Sequence, residues 1–258
     1  MLHILALFLV CAGAAAEPQC KVIPGNLKQV DAGSGQVWGV NNGGSIYRYV
    51  SNNWQNIPGS LIHVSVGPAG VWGNNQNYNI YTYVNNNWML VSGLLKQEDA
   101  GGNKFVVGVN SANAIYCLNQ GQIVPPVANP TWTGLDGSLK YYSCGPFGCW
   151  GVNSNNNVYY RYNVSPTSCQ GTQWQLVDGY LVMVEVGTDG SVYGVNSDGY
   201  VFYRNGVTSA SPTGTSWALV NFTFSIKHVS YDAGYLWLLS QNGDIFRCKV
   251  SGSVIVNI

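Results

Sequence analysis

Six segments of the chain carry similar polar and aromatic groups at a common spacing. They begin at Trp38 (WGVNNGGSIYRY), Trp72 (WGNNQNYNIYTY), Val107 (VGVNSANAIYCL), Trp150 (WGVNSNNNVYYR), Tyr193 (YGVNSDGYVFYR) and Trp237 (WLLSQNGDIFRC). An asparagine follows the anchor in five of them: Asn41, Asn74, Asn110, Asn153 and Asn196. A tyrosine lies nine residues after the anchor in four, Tyr47, Tyr81, Tyr116 and Tyr159, with Phe202 and Phe246 in the other two. A second tryptophan series, Trp54, Trp88, Trp132, Trp174 and Trp217, precedes the next anchor by 18 to 20 residues. Arg48, Arg161 and Arg204 read as one recurring register among uncharged neighbours. Carboxamides and phenols both donate and accept hydrogen bonds, and an indole offers a broad apolar face. Arginine adds a planar fork of donors that can meet hydroxyls, phosphates or carboxylates. Such a set suits a neutral, amphipathic, hydroxyl-rich ligand, which is the chemistry of a sugar. The competing reading is architectural: asparagines closing turns, aromatics packing between elements, arginines paired with acids.

Catalysis is poorly supplied. Hydrolases need paired carboxylates or an activated nucleophile, and the chain has only 11 Asp+Glu. Asp31, Asp99 and Asp232 recur ahead of an Ala-Gly pair, and Glu98 adjoins one of them. Carboxylates and carbonyls suit calcium, so these three are the candidate metal set, with turn capping as the alternative. No cofactor is required by this reading. No Ser/His/acid arrangement stands out, so the chain reads as a non-enzyme. The rivals are a protein-binding module without sugar affinity and, less favoured, a glycan-processing enzyme.

Composition supports the neutral ligand. Charged residues are 9% of 258, with 11 Lys+Arg balancing 11 Asp+Glu, against about 25% charged in a typical globular chain. A net charge of zero argues against nucleic acid, which needs a basic face to displace counterions. It equally argues against an anionic-membrane footprint. Gly at 32 residues, Asn at 28 and Tyr at 17 favour turns and strands over long helices. An apolar fraction of 46% is enough for a substantial core.

Residues 1–16 (MLHILALFLVCAGAAA) read as a secretory signal peptide: an apolar run, then small residues. No later stretch offers 18 uninterrupted apolar residues, so membrane insertion is not expected. Beyond residue 16 lie six cysteines, at positions 20, 117, 144, 149, 169 and 248. An even number in an exported chain suggests three disulfides among fifteen possible pairings. With His63 and His228 the only histidines beyond the leader, zinc is poorly supplied. Asn163-Val164-Ser165 and Asn221-Phe222-Thr223 are glycosylation sequons.

These groups need elements to hold them at equivalent positions. The six anchors are 34, 35, 43, 43 and 44 residues apart, and the third to fifth units carry eight or nine extra residues before the second tryptophan. Each unit reads as four short strands: the anchor strand, the strand with the aromatic, one from the second tryptophan, and an alternating apolar run such as LIHVSVG. One such sheet cannot bury its own faces. Six arranged radially can, so residues 17–258 are expected to form a single all-β domain, a six-bladed β-propeller. The last copy is short. Its missing part is at the other end, where CKVIPGNLKQVDAGSGQVWG aligns with WQNIPGSLIHVSVGPAGVWG. The N-terminal strand should therefore complete the C-terminal blade, and Cys20 should bond Cys248. Cys144–Cys149 would close the turn between the third and fourth repeats, leaving Cys117–Cys169 to join adjacent blades.

The units, WGVN…IYR…W followed by V-x-V-G, resemble tectonin repeats over nearly all of the chain beyond residue 16. With the leader, six repeats and abundant asparagine, the chain is similar to the fish-egg lectins and tachylectin-1. The resemblance implies binding of N-acetylglucosamine-containing or bacterial surface glycans. It also implies a secreted, extracellular setting, egg-associated and serving innate recognition, with a homo-oligomer as a further option.

Overall fold

The computed structural model describes residues 18–250. The expected leader and Cys11 lie outside them. Six four-stranded antiparallel sheets stand around one axis. Blade one spans residues 29–57, blade two 63–94, blade three 97–135, blade four 141–180 and blade five 183–220. Blade six takes residues 226–249 and adds the strand Gln19–Ile23 as its outer edge. Among the described residues the one helix is Gln120–Ile123, and no helix is long and apolar enough to cross a membrane.

The phase of the repeat differs from the sequence reading by one strand. The alternating apolar run is not the fourth strand of its own unit. It is the innermost strand of the next blade, packed against its counterparts around the axis. Burial explains the shift. His63–Gly67 is buried at all five positions, whereas Asn53–Ile57, which carries the second tryptophan, is mostly open. A strand covered on both faces belongs where six sheets converge, and a half-wet one belongs at the rim.

Closure follows the expected route. Gln19–Ile23 pairs antiparallel with Ile245–Lys249, placing Cys20 opposite Cys248, and the two are bonded. Cys117 is bonded to Cys169, tying blade three to the insertion of blade four. Cys144 is bonded to Cys149. That pair spans the inner hairpin of blade four rather than a junction of repeats, a consequence of the same phase shift.

The core lies in the joints between blades. Anchor tryptophans Trp38, Trp72, Trp150 and Trp237 are each at most 3% exposed. Three of them meet the second tryptophan of the following blade edge to face: Trp38–Trp88 at 6.2 Å, Trp150–Trp217 at 6.0 Å and Trp237–Trp54 at 6.1 Å between centroids. This geometry sets the positive edge of one ring against the negative face of the other.

A polar girdle laces the inner strands. At the rung opposite each anchor stand Asp31, Ser65, Asp99, Ser143, Glu185 and Ser230, an alternation of acid and serine. Most bond the backbone of the next blade. Val66 N donates to Asp31, Ala100 N to Ser65, Cys144 N to Asp99, Val186 N to Ser143 and Ala32 N to Ser230, all within 2.6–3.0 Å. Gln29 and Gln97 each make a two-way bond to the neighbouring strand, at Val64 and Tyr142. Buried peptide groups that no ladder satisfies are thereby paired.

Candidate functional site

Four of the five recurring asparagines close the turn between the second and third strands of their blades. The carboxamide oxygen of Asn153 accepts from the backbone N–H of Asn155 and Asn157, at 3.0 and 2.9 Å. Asn110 and Asn196 do the same for Ala112 and Ala114, and for Asp198 and Tyr200. Asn41 accepts from Ser45. In blade two the residue in this role is Asn75, which accepts from Asn77 and Asn79. Asn74 is instead a fully buried strand residue whose amide donates to Glu98. The run WGNN offers two asparagines, and only counting back from the turn separates them. In blade six Ser240 replaces asparagine and bonds Asp244.

With its oxygen so engaged, the side chain aims its amide toward the blade's aromatic. Asn41 Nδ2 lies 3.4 Å from Tyr47 Oη, and Asn75 Nδ2 lies 3.3 Å from Tyr81 Oη. Two clefts show what these groups surround. One of about 290 Å³ is lined by Asn153, Tyr159 and Trp174 of blade four, against Ile115 and Gly137–Leu139 from the blade-three side. The other, of about 340 Å³, is lined by Asn110, Tyr116 and Trp132 of blade three, against Ile80 and Gly93–Leu95. Three of the four expected residue classes therefore converge, twice, at the boundary between blades.

The opposing wall was not anticipated. Its signal is a recurring Gly-x-Leu five residues after Cys20 and after four of the five outer-strand tryptophans: Gly25–Leu27, Gly59–Leu61, Gly93–Leu95, Gly137–Leu139 and Gly179–Leu181. Gly137 has φ 96°, and a Cβ there would lie 3.2 Å from Trp174 Nε1. Glycine thus permits both the backbone conformation and the approach of the indole. Trp174, Trp132, Trp88 and Trp217 donate their indole N–H to the carbonyls of Asp136, Ser92, Pro58 and Asp178 in the preceding blade's edge. Trp54 occupies the equivalent place beside Gly25, with no acceptor for its N–H. In the two clefts the N–H groups of Trp174 and Trp132 are thus engaged, and their rings form part of the lining.

The joint between blades five and six departs from the pattern on both sides. Cys20 replaces the tryptophan, and Phe222 stands where the wall glycine would be. Phe224 stacks on Phe246 at 4.1 Å and meets Phe222 at 5.8 Å. Glycine and tryptophan are lost together, and phenylalanines occupy this joint.

The arginines play a different part from the one their spacing suggested. Arg161 and Arg204 are 4% exposed. Each lies over the tryptophan of its own blade, Trp174 at 4.9 Å and Trp217 at 5.3 Å. Each donates Nε to a carbonyl of its insertion, Gln170 or Thr213, and pairs with an acid of the preceding blade, Asp136 or Asp178. They brace the outer-strand tryptophan and the insertion loop. Arg48 does not share their register. It lies opposite Trp38, and its counterpart is Arg247 opposite Trp237. The doublets YR and YYR after the β-branched residue concealed the one-residue offset.

The three candidate metal ligands do not converge. Asp31 and Asp99 sit in the girdle, accepting from Val66, Ala32 and Ser230, and from Cys144, Gly101 and Ser143. Asp232 is at a strand end, where it accepts from Gly35. Among the described residues no group of three His, Cys, Asp or Glu is placed to hold an ion. Burial, reinforced by the charge of Asp31, pushes Asp99 up to about 8. Burial and the charges of Asp31 and Asp99 push Glu185 well above the carboxylate range. Burial pushes His228 down to about 3.

A closed six-bladed ring with asparagine-stapled turns and tryptophan-to-glycine joints defines a tectonin propeller. Residues 26–241 match the tectonin domain, and the chain belongs to that family. It is 49% identical to a fish-egg lectin of Cyprinus carpio over 232 residues, covering 89% of this chain and 98% of that protein. The ring itself recurs more widely. A chain of the mitotic checkpoint complex superposes with a TM-score of 0.59 over 97% of both chains, at 8% identity. Virginiamycin B lyase from Staphylococcus aureus superposes with a TM-score of 0.55 over 86% of this chain and 80% of its own, at 12% identity. An assembly component and an enzyme share the fold, so the function has to be argued from the clefts.

Proposed function

We propose that the protein is an extracellular, multivalent lectin that binds N-acetylglucosamine-type or microbial surface glycans in its inter-blade clefts and serves innate recognition. The observation that carries this reading is the repeated convergence of an asparagine amide, a phenol and an indole face on an apolar Gly-x-Leu wall. An indole can cover the C–H face of a sugar ring while the amide and phenol meet its hydroxyls. The relative named a fish-egg lectin supports the same reading. Five joints carry the glycine wall with a tryptophan, so up to five sites face a repetitive surface. Weak single sites then gain through effective concentration. Asn163 and Asn221 are exposed and open to glycosylation in an exported chain.

Retention on N-acetylglucosamine resin, with elution by the free sugar, is the test. Failure to bind chitin, galactose and lipopolysaccharide matrices would overturn the lectin reading in favour of a protein-binding ring. Repeating the column in EDTA and in calcium measures whether that ion takes part.

A further inference from the structure

Blade six has a cleft that the sugar reading does not use. It has a volume of about 540 Å³ and is lined by Gln19, Cys20, Lys21, Tyr235, Arg247 and Lys249. Three of the chain's 11 Lys+Arg meet there, in a molecule with a net charge of zero. Among the described residues no acid lines the cleft, and none of its three cations forms an ion pair. The nearest hairpin acid, Asp232, accepts from Gly35 of blade one.

The ladder register makes the arrangement costly. Lys21 lies directly opposite Arg247, and Gln19 opposite Lys249. Like charges facing each other across an antiparallel pair are destabilising. The same rung in the other blades holds Arg48–Gln55, Thr82–Met89, Cys117–Thr133, Tyr160–Gln175 and Tyr203–Ala218, none of them two cations. The position is also preorganised. Arg247 lies 5.1 Å over Tyr235 and 5.8 Å over Trp237, so its aromatic neighbours hold the guanidinium plane. The Cys20–Cys248 bond lies between the two cationic rungs and pins the strand pair that carries them. Lys21 and Lys249 are exposed. The cleft is at the strand end remote from the Ser240–Asp244 turn, whereas Asn110 and Asn153 line their clefts at the equivalent turn.

We propose that this cleft is a second binding site, for an anionic sulfate or phosphate group carried by a saccharide. The planar guanidinium supplies a fork for two oxygens of the anion, and the two ammonium groups supply charge at its sides. An occupant relieves the repulsion built into the ladder. The saccharide part rests on the lectin reading; the anion part rests on the cleft alone.

The experiment is calorimetric titration of the full secreted chain at low salt with four probes: N-acetylglucosamine, its 6-sulfate, its 6-phosphate and inorganic sulfate. The 6-sulfate and 6-phosphate should bind about tenfold more tightly than the neutral sugar, as a charge-assisted contact implies. That advantage should shrink as salt is raised. In a Lys21→Gln/Lys249→Gln variant it should vanish, while affinity for the neutral sugar stays unchanged. Arg247→Lys, which keeps the charge and loses the fork, should remove part of it. If the double variant keeps the full advantage, or the wild type shows none while binding the neutral sugar, the proposal is overturned and the lectin reading stands. If inorganic sulfate binds the wild type and not the double variant while no sugar binds, the anion site stands and the lectin reading falls.

Discussion

The bond between Cys20 and Cys248 should be the costliest of the three disulfides to remove. It joins residues 228 apart, whereas Cys117–Cys169 spans 52 and Cys144–Cys149 spans 5. In the chain-entropy account, a cross-link restricts the unfolded ensemble more as the loop it closes lengthens. At 25 °C the three bonds then contribute about 5, about 4 and about 2 kcal/mol. The informative quantity is the difference of about 3 kcal/mol between the first and last, more than a hundredfold in the unfolding equilibrium. The substitutions should respect burial. Cys20 is exposed and takes serine, whereas Cys248, Cys144 and Cys149 are fully buried and take alanine. Urea unfolding followed by tryptophan fluorescence compares Cys20→Ser/Cys248→Ala with Cys144→Ala/Cys149→Ala. Hydrogen exchange across Gln19–Ile23 reports whether the outer strand frays. If the two double variants lose equal stability, or the hairpin variant loses more, covalent closure is not what holds the ends of the ring together.

Four further outcomes follow from the same geometry. Asn75→Ala should destabilise by about 1–2 kcal/mol through its two unpaired turn N–H groups, as read in thermal melts; a neutral result would remove the turn-staple assignment. Gly137→Ala should abolish sugar occupancy at the cleft between blades three and four while sparing the one between blades two and three, resolved by crystal soaks with N-acetylglucosamine. Stability should fall as pH rises from about 6.5 to about 8, because burial keeps the Asp99 carboxyl neutral in the folded ring up to about 8 whereas it is already ionised once unfolded, and the raised Glu185 acts in the same direction. At the acid end His228 acts in the opposite sense. It is held neutral when folded, so its contribution is present above pH 6.5 and is lost as pH falls toward 3; a melting temperature that climbs between pH 6.5 and 8 would refute the carboxyl assignment.

Ring size, closure and the partner of Cys20 were legible because they depend on order and spacing, which a repeat displays openly. Strand phase was less legible. A run such as HVSVG pairs equally well on paper with the unit before it or after it, and only burial on both faces assigns it to the axis. Asn74 and Arg48 show a second kind of limit. Both sit beside a residue of matching type or in a doublet of variable length, so similarity placed them one position away from their structural equivalents. The Gly-x-Leu wall was present in the sequence but carries no reactive group. Its importance appears only when an indole of the next blade is seen resting on it.

The girdle also determines how the ring comes apart. An open stack of repeats can shed an end unit, since each unit touches only its neighbours. Here, removing a blade uncovers buried peptide groups on both sides, which favours a single collective transition. One boundary is exempt. Among the described residues, no side chain of Met183–Val186 or Ile226–Asp232 bonds the other strand's backbone; apolar packing that includes Tyr193 against Tyr231 at 5.0 Å fills this boundary, with Tyr231 Oη donating to Asp189. The same boundary lacks the tryptophan and its glycine. The break in the girdle's lacing therefore falls between blades five and six, beside the covalent clasp, and parting there would leave the five glycine–tryptophan joints in one unbroken arc.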